Sequence, residues 1–117
     1  MLKKQSATKK PITLRDIKIK SGVVKRTGQE LGMYEKEAQK QKDHIQRLQD
    51  QNADIHDINK QKEVLEETLM MLPDTKKRLF AAYKDLVEML QDASIDHESE
   101  EVVLAKSIVE NAAPLVA

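Results

Sequence analysis

The sequence predicts an all-α fold: an antiparallel three-helix bundle of two long helices, the second bent at Pro73, and a shorter third helix. Three observations carry this expectation. Between Ile55 and Leu90, the residues Ile55, Ile58, Lys62, Leu65, Leu69, Leu72, Lys76, Leu79, Tyr83, Leu86 and Leu90 recur in steps of 3 and 4 across five heptads. Nine of these eleven positions are apolar or Tyr, the pattern of a helix docked in coiled-coil fashion with a left-handed supercoil. A second heptad line, Ile17, Val24, Leu31, Ala38 and Ile45, precedes it. Finally, 34% of the 117 residues are charged and 3% are aromatic, an aliphatic and charged composition that suits long helices better than a sheet.

The elements follow in chain order. Residues 1–12 are rich in Lys, Ser and Thr around Pro11 and are expected as a disordered basic tail. The bundle is expected over residues 13–113, with a short tail over 114–117. Thr13, with Asp16 three residues on, marks the first helix start. Ile12, Leu14, Ile17 and Ile19 alternate as a strand would, but a lone strand has nothing to pair with. Tyr34 and Leu48 join the first helix's apolar face, while Lys20, Thr27 and Gln41 dilute it. Gly22, Gly28 and Gly32 each weaken this helix by up to about 1 kcal/mol against Ala, so its stability must come from docking on the second helix. The glycines permit either close backbone approach or local opening.

Gln51, Asn52, Ala53 and Asp54 form a polar break, with Asp54 or Asn52 as the cap of the second helix. So short a connection joins antiparallel neighbours. Each long helix then spans roughly 55 Å at about 1.5 Å per residue. Pro73 falls inside the second helix, yet the repeat keeps its phase across it. One bent helix, or two coaxial ones with Pro73 in the first turn of the second, fits that pattern. Beyond Gln91, Ser94 and Ser99 are cap candidates. Val102, Ala105, Val109 and Ala112, flanked by Leu104 and Ile108, mark a third helix that Pro114 is expected to end.

The second helix also says where the third one lies. Beside its repeat, Asn59, Gln61, Glu66 and Thr68 are polar in the first half, whereas Phe80, Ala82, Val87 and Met89 are apolar in the second. A wide apolar stripe suits two partner helices and a narrow one suits one. The third helix should therefore cover the Tyr83 half and leave the Leu65 half as a bare hairpin.

Function is first bounded by what is missing. The chain has no Cys, which excludes disulfides and thiolate zinc sites and is compatible with a reducing compartment. No apolar run approaches the roughly 20 residues that cross a bilayer, and the start lacks a signal-peptide core; a soluble intracellular protein is expected. His44, His56 and His97 stand apart, and neither Gly22 to Gly28 nor Gly28 to Gly32 forms a phosphate loop. The carboxylates lie on faces expected to be exposed, so no catalysis, metal or cofactor is assigned. Lys18, Lys20, Lys25 and Arg26, with Lys9 and Lys10 upstream, form a basic start. Residues 1–26 hold nine Lys or Arg and one Asp, within a chain of zero net charge. This start either steers an acidic partner or is simply a solvated end. Without interleaved aromatics it is a poor nucleic-acid surface, and without Trp or Phe in residues 12–26 a poor membrane surface. Val64, Met70 and Met71 are apolar residues off the repeat in the bare half. They suit a protein partner, unless a dimer or the bend covers them.

Several blocks resemble the tubulin-binding cofactor A family. They are Ile17-Lys-Ile-Lys-Ser-Gly-Val-Val-Lys-Arg26, Met33-Tyr-Glu-Lys-Glu-Ala38, the central Asp57-Ile58, Gln61, Leu65, Glu67 and Met70-Met71-Leu72-Pro73-Asp74, then Arg78-Leu79, Ala81-Ala82-Tyr83 and Asp85-Leu86. The resemblance covers roughly residues 15–90; the segment after Gln91 matches poorly. It implies a non-enzymatic chaperone of the cytoplasm and cytoskeleton that needs no nucleotide or metal. Such a protein holds quasi-native β-tubulin released by the chaperonin and passes it on for assembly with α-tubulin. It also implies β-tubulin as partner, with other tubulin-folding cofactors beside it. The candidate contacts are Lys18, Lys20, Lys25, Arg26, Tyr34, Val64, Met70 and Met71. The alternative is a homodimeric coiled-coil adaptor without chaperone activity. Monomer and homodimer both remain open, and neither nucleic acid nor membrane is an expected partner.

Overall fold

Thr13 sets the start of the fold. Its side chain accepts the Asp16 backbone N–H at 3.1 Å, while its own N–H donates to Asp16 Oδ2 at 3.0 Å. This reciprocal cap satisfies two backbone donors that the first turn leaves open. In a computed structural model that describes residues 11–117, three helices follow: α1 (Leu14–Asp50), α2 (Ile55–Leu90) and α3 (Glu100–Val116). There is no strand among the described residues. The expected basic tail lies outside the described residues as far as residue 10; Ile12 is half-buried and packs on the core.

The α1–α2 turn is built from local chemistry. Asn52 adopts φ 54°, a left-handed conformation that Asn tolerates better than most residues. Its N–H donates to the Gln49 carbonyl and that of Ala53 to the Leu48 carbonyl, the pairing of a Schellman cap. Asp54 then caps α2 by accepting the His56 N–H at 3.0 Å. The chain therefore reverses within four residues. Lys20 near the start of α1 pairs with Asp85 near the end of α2, and Glu30 with Arg78, as an antiparallel pair requires.

The first-helix line Ile17, Val24, Leu31, Ala38 and Ile45 is buried throughout. In α2 the line Ile58, Leu65, Leu72, Leu79 and Leu86 faces inward, as expected. The other half of the expected α2 line is displaced by one residue. Lys62, Leu69 and Lys76 are exposed, whereas Thr75 and Ala82 are buried and Gln61, Thr68 and Met89 are half-buried. Small and neutral side chains occupy the positions closest to α1, and the longer ones lie along the border. Tyr83 and Leu90 remain half-buried there because α3 reaches them.

One core joins Ile17, Val24 and Leu31 to Leu79, Ala82 and Leu86, and to Val102, Ala105 and Ala112 of α3. Ala38, Ile45 and Ile58 lie outside it. The third helix thus covers the Tyr83 half, and the rest is a two-helix hairpin. Phe80 departs from this expectation: it is 52% exposed and takes no part in the core beneath α3. Ile95, in the α2–α3 connection, is buried and pins that loop to the core. Ser99 caps α3, while Ser94 instead bonds Asp92 within the connection.

Both internal prolines are accommodated. α2 runs unbroken through Pro73, which sits on the exposed side and frees only the Leu69 carbonyl toward solvent. Thr75 Oγ1 donates to the Met71 carbonyl at 2.8 Å on the buried side. α3 continues past Pro114 to Val116, beyond the stop expected there. Val116 packs on the core and Leu115 lies over Gly28, so tertiary contact holds a last turn that a proline alone would release.

The two halves should respond differently to substitution. Leu86→Ala, in the three-helix core, is expected to lower unfolding free energy by about 2–5 kcal/mol in urea titration. In the hairpin half, Gln41 Oε1 is buried without a hydrogen-bond partner among the described residues. Gln41→Leu removes that carbonyl and should raise stability by on the order of 1 kcal/mol.

Candidate protein-binding surfaces

A bundle 21 Å across its thinnest dimension offers faces rather than an interior. Among the described residues, no group of three or more His, Asp or Glu is placed to hold a metal ion, and no helix is long and apolar enough to cross a membrane. The chemistry available is therefore that of surfaces.

One surface lies along the α1–α2 seam on the side away from α3. Arg78 reaches across to Glu30, with Nη2 at 2.9 Å from Oε1, and also bonds Asp74 at 3.1 Å. Its Nη2 donates further to the buried Thr75 hydroxyl at 3.3 Å. The Arg78 hydrogen bond holds the Glu30 carboxyl below its ordinary value of 4.5, helped by a bond from Tyr34 and opposed by partial burial. Glu30 and Asp74 in turn hold the Arg78 guanidinium in its charged form. Exposed ion pairs contribute little net stability. Together with Lys20–Asp85, this one marks the register in which the two helices pair.

Heptad spacing carries the same side of α2 backward from Asp85 and Arg78 to Met71 and Val64. Both are exposed, as expected, and Met70 beside them is 74% exposed. Leu69, expected inside the seam, joins them at the surface. Four apolar side chains thus surround α2 in the turns before Pro73. Nothing within the described chain covers them, because α3 ends beside the other half. The readable signal for Leu69 was its line-mates Lys62 and Lys76, which mark that line as a border. Met33 on α1 is a further exposed apolar residue that the repeat did not single out, and Phe80, expected beneath α3, is another at the surface.

The structure divides the expected basic set. Lys20 is half-buried and paired with Asp85 at 3.4 Å. Lys18, Lys25 and Arg26 lie exposed on the other side of α1, joined by Arg15, which sequence reasoning passed over. Tyr34 is half-buried against Glu30 and supports the ion pair. The basic stripe and the methionine patch are not one site. They occupy opposite halves of the rod, about 25 Å apart along its axis by helical rise.

The chain as a whole is similar to known proteins. The family model described as tubulin binding cofactor A matches residues 12–109, reaching into α3. Tubulin-specific chaperone A of Gallus gallus is 45% identical over 98 residues, covering 84% of this chain and 91% of that protein. The crystal structure of tubulin folding cofactor A from Arabidopsis thaliana is similar with a TM-score of 0.79 at 35% identity, covering 86% of this chain and 95% of that one. Human tubulin chaperone cofactor A is similar with a TM-score of 0.76 at 41% identity, covering 86% of this chain and 97% of that one.

The Glu30–Arg78 contact has a pH signature. Because the folded carboxyl is depressed, its stabilising contribution is complete above the ordinary glutamate value of 4.5 and is lost as pH falls through the lower folded value. Glu30→Gln should therefore be less stable than the parent at pH 7. The gap between their urea midpoints should close in acid below that range. An equal gap at pH 7 and pH 3 would remove the charge from the account.

Proposed function

The chain belongs to the tubulin binding cofactor A family, and on that premise we propose that it captures quasi-native β-tubulin after chaperonin release and holds it for assembly with α-tubulin. The observation that carries this reading is the uncovered apolar surface of α2. Val64, Leu69, Met70 and Met71 stand exposed on a helix otherwise organised by a regular repeat. Methionines adapt to irregular partners, and exposed apolar side chains gathered within two turns mark a site of protein contact. The client's exposed assembly surface would be shielded there until its partner subunit takes it over.

Lys18, Lys25 and Arg26 add attraction to an acidic client at the other half of the rod. Lys20 contributes less in this scheme, since Asp85 already neutralises it. Tyr34 acts by holding Glu30 toward Arg78. The proposed setting is the cytoplasm near the cytoskeleton, with other tubulin-folding cofactors as further partners and no resident nucleotide or metal. The third helix weighs against the homodimeric adaptor reading. A simple coiled-coil rod gains nothing from a short helix that closes a core over one half only.

Immobilised protein incubated with cytosol should retain β-tubulin in excess of α-tubulin, and size exclusion should place the two proteins in one complex. Met70→Glu/Met71→Glu should lower capture about tenfold or more while far-UV circular dichroism stays unchanged. Full capture by the folded double variant would remove the methionine patch from the proposal. Raising salt should weaken capture through loss of the basic contribution.

A further inference from the structure

The basic stripe of α1 borders a trench between α1 and α3. Its upper section, about 410 Å³, has a floor of Val24, Gly28, Ile108 and Ala112, with Leu104 and Leu115 along the α3 lip. The adjoining section, about 430 Å³, shares Lys25, Leu104 and Ile108 and ends at Lys18, Glu100 and Glu101. Two glycines lie along it. A Cβ at Gly28 would stand 3.5 Å from Leu115 Cδ1, an ordinary contact beneath the end of α3. At Gly22 the Arg26 guanidinium folds back across the helix, with Nη1 2.9 Å from where a Cβ would stand.

Two properties of the trench are unmatched within the chain. Leu104 is 57% exposed, although α3 buries its other aliphatic line. Lys18 and Lys25, which line it, are exposed, as are Arg15 and Arg26 in the hollow beside it, and none of the four forms an ion pair among the described residues. The carboxylates on the trench, Glu100 and Glu101, sit in the first turn of α3, where they complement the helix dipole. The trench follows α3, whose 17 residues give it a length of about 25 Å. We propose that this trench docks an acidic amphipathic helix of the client protein. Its aliphatic side chains would rest between Val24, Ile108, Leu104 and Leu115, and its carboxylates would face Lys25 on the α1 lip.

A helix is the form the walls select. Both walls are helices whose backbone groups are already paired, so an extended segment finds no edge to join, whereas a helix brings its own backbone bonds. The aliphatic lip and the absence of any aromatic side chain in the trench favour a protein over a nucleic acid. The identity of the client rests on the β-tubulin reading; the chemistry of the docked segment rests on the trench alone.

The test uses the full chain and a fluorescent 15-residue helical peptide bearing Leu at i, i+4, i+7 and i+11 with Glu and Ala elsewhere. Anisotropy should report binding of this peptide and about tenfold weaker binding of its Lys-for-Glu counterpart. Lys25→Glu and Leu104→Glu, both at exposed positions, should each weaken the acidic peptide about fivefold or more, and Met70→Glu should not. Amide shifts on peptide addition should cluster at Gly28, Gln29 and Leu104, a readout that needs no variant. Equal binding of the two peptides, or shifts centred on Met70, would overturn the proposal. So would displacement by a 15-nucleotide single strand that binds Leu104→Glu as well as the parent. If wild-type protein captures β-tubulin but no peptide occupies the trench, the trench inference fails and the client reading stands. If the peptide occupies the trench and no β-tubulin is captured, the client reading fails and the trench stands.

Discussion

The antiparallel contact between α1 and α2 is the constraint on which the rest of the structure depends. Ile17, Val24 and Leu31 meet Leu72, Leu79 and Leu86 in a seam repeated every seven residues. Two helices alone shield only a narrow line of side chains, and each remains wet on three sides. The turn at Asn52 fixes the pairing locally, and the Glu30–Arg78 bridge marks it at a distance. With the register set, residues facing a third helix fall together at one end of the rod. There α3 completes a core that the hairpin could not close.

The consequence is a molecule of two characters. In the closed half, Val102 and Ala105 seal against both long helices, and Ile95 ties the connection to the same core. In the open half, the seam runs thin through Ala38, Gln41, Ile45 and Ile58, and the apolar residues of α2 stay at the surface. This division suits a chaperone. Stability is concentrated where α3 packs, which leaves the remaining faces free to be shaped for a client rather than for the fold.

Polar groups within the seam follow the same logic. Thr75 is fully buried, yet its hydroxyl is satisfied by the Met71 carbonyl and by Arg78. That arrangement sits two residues after Pro73, on the side of α2 opposite the missing backbone bond. A small hydroxyl side chain permits close approach to α1 and supports the turn where the proline weakens it. The cluster of Pro73, Thr75, Arg78 and Glu30 thus couples a local irregularity of α2 to the helix across from it.

Much of this was written in the linear pattern. The three helices, the helix start at Thr13, the turn after Asp50, the inward line from Ile58 to Leu86 and the placement of α3 over the Tyr83 half all follow from periodicity and cap chemistry, which are local properties. The exposed Val64, Met70 and Met71 were legible because they stand off the repeat. Only the tertiary structure decided the second line of α2, where Thr75 and Ala82 displaced Lys76 and Tyr83. Periodicity rewards large apolar residues, whereas close helix contact rewards small ones, and the distance to a partner helix is not encoded in spacing. The same holds for Phe80, for Ile95, for the last turn beyond Pro114 and for the trench beside Lys25. Each depends on where another element ends in space, and that is fixed by packing between segments far apart in the chain.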